Sequence, residues 1–282
     1  MNEKEQELTI RRILVALDAS THSLAALNAA AELAASQHAE LVGIFVEDEN
    51  LLHLAGLPFA QEVRSPAATK EPMTSESMEH QLHLQASQAR WALEKAAKRA
   101  KAQWSFRTIR GQVTPSVLAA ALDADLVVMG RVSRPLHSRS RLGSTARAAS
   151  ANIAGSVLLM QEGSDLSYPV LVTYDGSPAA WQALAAAVKL TPLGGDELNV
   201  VLLSDDYRQA KPLRDEVSTW LDERGLSAEF HWLPEVTVTK LIEMVQLTVN
   251  CVLVLGGDNP LLGAEAIQEL LDATDCPVML VR

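Results

Sequence analysis

The chain is poor in the residues that would tie it to an oxidising compartment, a membrane or a nucleic acid. Among its 282 residues there are two cysteines, Cys251 and Cys276, and aromatic residues make up 4%. Both cysteines lie in apolar, strand-like settings, so they are read as core thiols of a reduced protein, and no metal-ligand spacing accompanies them. So few aromatics leave no base-stacking surface, and a net charge of -11 opposes phosphate backbones. No uninterrupted apolar run approaches the ~18 residues of a membrane span. The opening MNEKEQELTIRR has no apolar leader segment. The expectation is a cytoplasmic protein without membrane or nucleic-acid partners.

Acid is missing locally as well. None occurs between Asp125 and Glu162, and that gap contains LVVMG-RVS-RPLHSRSRL-GST at 126–145. An apolar run of strand character ends at Gly130. Arg131, Ser133, Arg134, Arg139 and Arg141 follow, and Gly143-Ser144-Thr145 opens a helical segment. Strand, basic loop and helix N-terminus suit a phosphate, because the first helical N–H groups have no intrahelical acceptor and the helix dipole is positive there. Gly143 permits close backbone approach, and the Ser144 and Thr145 hydroxyls add donors. The competing reading is a surface loop of solvated arginines. Charge favours the first half for an anion: residues 1–163 hold 17 basic and 17 acidic side chains, whereas 164–282 hold 7 and 18.

What is abundant is repetition. ILVALDASTHSLAALNAAAELA (13–34) aligns with VLVTYDGSPAAWQALAAAVKLT (170–191) at an offset of 157, putting Asp18 on Asp175 and Ser20 on Ser177. LVVMG ending at Gly130 matches VLVLG ending at Gly256, and Ser156–Met160 matches 277–281. The falling offset locates about 31 residues missing from the second copy around 48–85, and 5 missing from the phosphate-like loop. Each copy is an apolar strand, an Asp-x-Ser turn and an Ala/Leu-rich helix whose N-cap the Ser or Asp supplies. The first copy reads as strand 13–18, helix 21–36, strand 40–46, an insertion, helix 76–102, strand 104–110, helix 115–123, strand 125–130, helix 144–153 and strand 156–160. Thr114-Pro115 reads as N-cap and first helical position. The insertion NLLHLAGLPFAQEVRSPAATKEP reads as a flap or short extra helix. Strands alternating with helices imply two open α/β domains, 1–163 and 164–282, each a Rossmann-like parallel sheet with helices on both faces. Ligands bind such sheets beyond the carboxyl ends of the strands, where Asp18 and Gly130 stand.

These residues resemble the universal stress protein family, here as a tandem pair covering almost the whole chain. ATP-binding members of that family carry G-x2-G-x9-G-[ST] after the fourth strand. This chain has Gly130, Ser133, Gly143 and Ser144 at those positions, with serine replacing the middle glycine. The resemblance implies an adenine-nucleotide hydrolase-like fold and ATP or a related adenine nucleotide as ligand, with or without Mg²⁺. It puts Asp18, Ser20 and Val46 at the nucleoside, and Gly130, Arg131, Ser133, Arg139, Gly143, Ser144 and Thr145 at the phosphates. In single-domain members the last strand pairs antiparallel between two chains. The same is therefore expected within this chain between 156–160 and 277–281, as an intrachain pseudo-dimer, with a homodimer of the whole chain left open. In the second copy the matching stretch GGDNPLLGAEAIQ (256–268) has no Lys or Arg and places Asp258 and Glu265 against any phosphate. That copy reads as degenerate.

Other constellations carry less. His80 and His83 beside Met78 lack a third metal ligand and read as a solvated helix face. Asp18, Ser20 and His22 are too close in sequence for a nucleophilic triad. Glu47-Asp48-Glu49 would approach a Mg²⁺ on a triphosphate, or is an exposed acidic strand end. Trp91 and Trp104 read as packing residues. No general base for phosphate hydrolysis stands out. The leading function is a stress-response protein with a regulatory nucleotide in its N-terminal domain and an unidentified protein partner; the alternatives are a nucleotide-free scaffold and a slow ATPase or phosphotransferase.

Overall fold

The architecture was obtained as a computed structural model that describes residues 9–18, 20–58, 61–64, 69–131, 142–167, 169–191, 198–248, 250–259 and 261–282. Apolar runs form most of the sheet's strands. The first half contains β1 (Arg12–Leu17), α1 (Thr21–Gln37), β2 (Glu40–Asp48), α2 (Glu49–Ala55), β3 (Gln61–Arg64), β4 (Thr69–Pro72), α3 (Ser75–Ala100), β5 (Trp104–Gly111), α4 (Val113–Ala121), β6 (Leu126–Gly130), α5 (Ser144–Asn152) and β7 (Ser156–Met160). The second half contains β8 (Val170–Tyr174), α6 (Pro178–Leu190), β9 (Leu198–Leu203), α7 (Tyr207–Asp222), β10 (Glu229–Leu233), α8 (Val238–Leu247), β11 (Val252–Gly256), α9 (Ala264–Ala273) and β12 (Val278–Val281).

One ten-stranded sheet runs in the order β10-β9-β8-β11-β12-β7-β6-β1-β2-β5. Its two five-strand halves have the same internal order, so the repeat read in the sequence is a repeat of topology. All neighbours within a half are parallel, and the halves meet where β12 runs antiparallel to β7, Met279 opposite Leu158. Both faces of the sheet are covered, which is why its strands are apolar without alternation. In β1, Ile13, Val15 and Leu17 pack into a core with α1 and α3, and Leu14 packs into the opposite core with α4 and α5.

The repeat extends to hydrogen bonds. Asp18 accepts from the Ser20 N–H at 3.0 Å, and Ser20 Oγ caps α1 by accepting from Ser23. Asp175 and Ser177 do the same for α6, at 2.9 Å and onto Ala180. Three expectations need correction. Helix α4 starts at Val113 with Gln112 as its N-cap, so Thr114 does not cap it. Its hydroxyl instead meets that of Thr145 at 2.8 Å, tying α4 to α5. The insertion forms α2, capped by Asp48, and a two-stranded antiparallel hairpin, β3 with β4. Trp91 is 64% exposed with Lys95 over its ring, while Trp104 does pack against the core.

Candidate functional site

Chain topology opens a crevice between β1 and β6, since the chain leaves β1 toward β2 and β5 and returns on the other side to β6. A cavity of about 470 Å³ lies there, at the carboxyl ends of β1, β2 and β6. Its floor is apolar, built from Ala16, Ile44, Val117, Met129 and Leu142. Polar groups gather at its rim: Asp18 after β1, Asp48 at the end of β2, and Gly143, Ser144 and Thr145 at the start of α5. The volume falls in the usual range for small-molecule sites, roughly 300–1,000 Å³, and an apolar body with a few convergent polar groups is the usual lining.

The α5 N-terminus lines this space. Gly143 is its N-cap and supplies no side-chain hydrogen bond, and no acid lies in the first turn. With φ at -66° the position needs no glycine for its backbone, so the value of Gly143 is the absent side chain. The Gly143 N–H donates to the Arg131 carbonyl at 2.7 Å, and the Arg131 N–H donates to Met160 at 2.9 Å. These bonds place the helix start against the end of β6.

The cavity brings together Asp18, Val46, Gly130, Arg131, Gly143, Ser144 and Thr145. Ser133 and Arg139 lie outside the described residues, as do Arg134 and Arg141. Several roles differ from expectation. The oxygen of Ser20 caps α1 and is thereby engaged. Arg131 is buried, and its Nη1 donates to the carbonyls of Thr274 and Cys276 at 2.8 and 3.0 Å, so its guanidinium is directed to the second half of the molecule. At Gly130 a Cβ would stand 2.8 Å from that of His22; the glycine lets the first turn of α1 lie against β6. Glu47 is buried rather than exposed, and its carboxylate holds Arg110 at 3.1 Å and His83 at 3.3 Å. That leaves it unsuited to approaching a Mg²⁺, while His83 reaches it from the solvated helix face that was expected, its side chain 59% exposed. Among the described residues no group of three or more His, Cys, Asp or Glu is arranged to hold a metal ion. His22 accepts from the Glu162 N–H at 3.0 Å, away from any relay with Ser20.

The equivalent corner of the second half is built differently. Asn259 is buried and its Oδ1 accepts from the N–H groups of Leu261 and Leu262, closing the shortened connection locally. Glu265 occupies the first turn of α9 behind Gly263.

The family model described as Universal stress protein family matches residues 9–161. The chain belongs to the universal stress protein family. Among solved structures it is similar to a universal stress protein from Archaeoglobus fulgidus DSM 4304, with TM-score 0.68 and 14% identity over 98% of this chain and 99% of that one. A putative universal stress protein from Pseudomonas aeruginosa UCBPP-PA14 gives TM-score 0.60 and 14% identity, over 98% and 94%. A universal stress protein crystallised in complex with cAMP gives TM-score 0.39 and 21% identity, over 55% and 99%. No curated protein matches the sequence significantly. The two full-length likenesses agree with the paired-sheet architecture across both halves of this universal stress protein, and no helix among its described residues is long and apolar enough to cross a membrane.

Proposed function

We propose that the chain divides at about residue 163 into two domains, and that the first binds ATP or a related adenine nucleotide as a regulatory ligand. The observation that carries this reading is the cavity at the β1/β6 crevice, apolar at its floor and bounded by the uncapped N-terminus of α5. A flat heterocycle suits the floor, with Val46 beside it and Asp18 toward the sugar. The phosphates suit the α5 start at Gly143, Ser144 and Thr145, where the hydroxyls of Ser144 and Thr145 and the positive end of the helix dipole meet an anion. In this reading the second domain has lost its ligand, since Glu265 neutralises the matching helix start and Asn259 closes the loop. Bound nucleotide acts by ordering the cavity rim and so changing the surface offered to a cytoplasmic protein partner.

The test is calorimetric titration of the full chain with ATP, using matched substitutions in the two halves. Gly143→Asp puts a carboxylate at the helix start and should weaken binding about 100-fold or more, an effect of ~2.7 kcal/mol. Gly263→Asp, the equivalent change in the second half, should leave the affinity unaltered. A loss only with Gly263→Asp would move the site to the other half, and equal losses would overturn its confinement to the first. No saturable heat from the unaltered chain with ATP, ADP, AMP or cAMP would favour the scaffold reading instead.

A further inference from the structure

Cys251 and Cys276 face each other at the start of the β11–β12 pair. That ladder is parallel with Leu253 opposite Val278, so two residues upstream Cys251 falls opposite Cys276. Neighbouring strands lie about 4.8 Å apart, within the ~4.4–6.8 Å between α-carbons that a disulfide spans. Both are free thiols, and both belong to the same buried cluster on one face of the sheet. Both residues are buried, yet both line a cavity of about 360 Å³ between the turn at 161–164 and the end of α8. A small oxidant therefore has a route to Cys276, which is 8% exposed, while Cys251 is fully covered beside it.

We propose that Cys251 and Cys276 are a redox-active dithiol that a hydroperoxide converts into an intrachain disulfide. Cys276 is the attacking sulfur. The hydrogen bond from Cys251, and then the nearby Arg131 guanidinium, hold its thiol below the ordinary value despite burial, while the bond to Cys276 and burial push Cys251 up. The Cys276 thiolate attacks one peroxide oxygen; an S–O bond forms, the O–O bond breaks, and the departing oxygen takes the proton that Cys276 released. Cys251 then attacks the Cys276 sulfur; the S–S bond forms, the S–O bond breaks, and hydroxide leaves with the Cys251 proton as water. Two electrons pass from the two sulfurs to the peroxide, and with hydrogen peroxide the products are one disulfide and two waters. The bridge would lie at the junction of the two halves, because Arg131 holds the Cys276 carbonyl from across it.

The test exposes the full chain to a modest molar excess of hydrogen peroxide, denatures it, blocks remaining thiols with iodoacetamide and reads intact and peptide masses without reduction. The expected result is loss of two hydrogens per chain, neither cysteine alkylated, and a linked Cys251–Cys276 peptide that dithiothreitol separates. Cys251→Ala should stop at a Cys276 sulfenic acid that dimedone traps, whereas Cys276→Ala should leave Cys251 alkylatable. Alkylation of both cysteines after peroxide, direct passage of Cys276 to the sulfonic acid, or bridges only between chains would each overturn the proposal. The reading on the unaltered chain does not depend on whether either variant folds.

Discussion

Gly130 and Gly256 do the same work at matching ends of β6 and β11. A Cβ at Gly130 would meet the Cβ of His22 at 2.8 Å, and one at Gly256 would meet Ala179 at 3.0 Å. His22 and Ala179 themselves correspond in the repeat, so each glycine admits the first turn of the helix that follows the half's first strand. Gly130→Ala should lower stability by ~2 kcal/mol, because backbone rather than a pliable side-chain tip must move. Gly263→Ala, with nothing within 4 Å, should change it by less than ~0.5 kcal/mol. Thermal denaturation monitored by circular dichroism separates the two. Ser20→Ala and Ser177→Ala should each cost ~1 kcal/mol, the value of an N-cap. These caps were legible in the Asp-x-Ser turn, since an N-cap is a local affair of three residues. The packing role of Gly130 was not, because His22 is its neighbour only in the folded sheet.

At the level of elements, two arginines exchange places across the middle of the molecule. Arg131, from the end of β6, donates to the carbonyls of Thr274 and Cys276 beyond α9. Arg282, beyond β12, donates to the carbonyls of Ser150 and Ile153 at the end of α5. Each satisfies carbonyls at or just beyond a helix C-terminus in the other half, where a cation also meets the negative end of the dipole. The helices are further joined by Arg147 to Asp272 at 2.7 Å and by Gln268 to Ser150 at 2.7 Å. Arg131→Met should destabilise by ~3 kcal/mol, leaving buried carbonyls without a charged donor. Arg282→Met, at a less buried position, should cost ~1–2 kcal/mol; urea unfolding of both variants checks the order. Because the two arginines occupy different places in the repeat, aligning the copies hides their equivalence. The hairpin of β3 and β4 was hidden for another reason. Its strands are four residues each and polar, too short for the alternation that marks a strand.

The whole molecule depends on the seam between β7 and β12. Leu158 and Met279 are direct partners there, and both are fully buried. Leu158→Lys with Met279→Lys would set two like charges opposite each other inside the sheet, without water or a counter-ion. The expected outcome is separation of the halves or insolubility; unchanged small-angle scattering and an unchanged melting temperature would show that the seam is dispensable. Joining the strands also removes two apolar edges that would otherwise template aggregation. The sequence by itself determined the internal repeat, most of the main elements and the parallel pairing within each half, because apolar periodicity, turn residues and spacing are carried along the chain. The strand order, by contrast, came from the folded sheet. The lack of acid around the α5 start was legible too, since it is a property of composition. Only the tertiary structure decided that Arg131 turns to the second half, that Glu47 is held by Arg110 and His83, and that Cys251 meets Cys276. Those partners lie tens to more than a hundred residues apart, and a side chain's role depends on which carbonyl, carboxylate or sulfur the sheet brings within 3 to 4 Å.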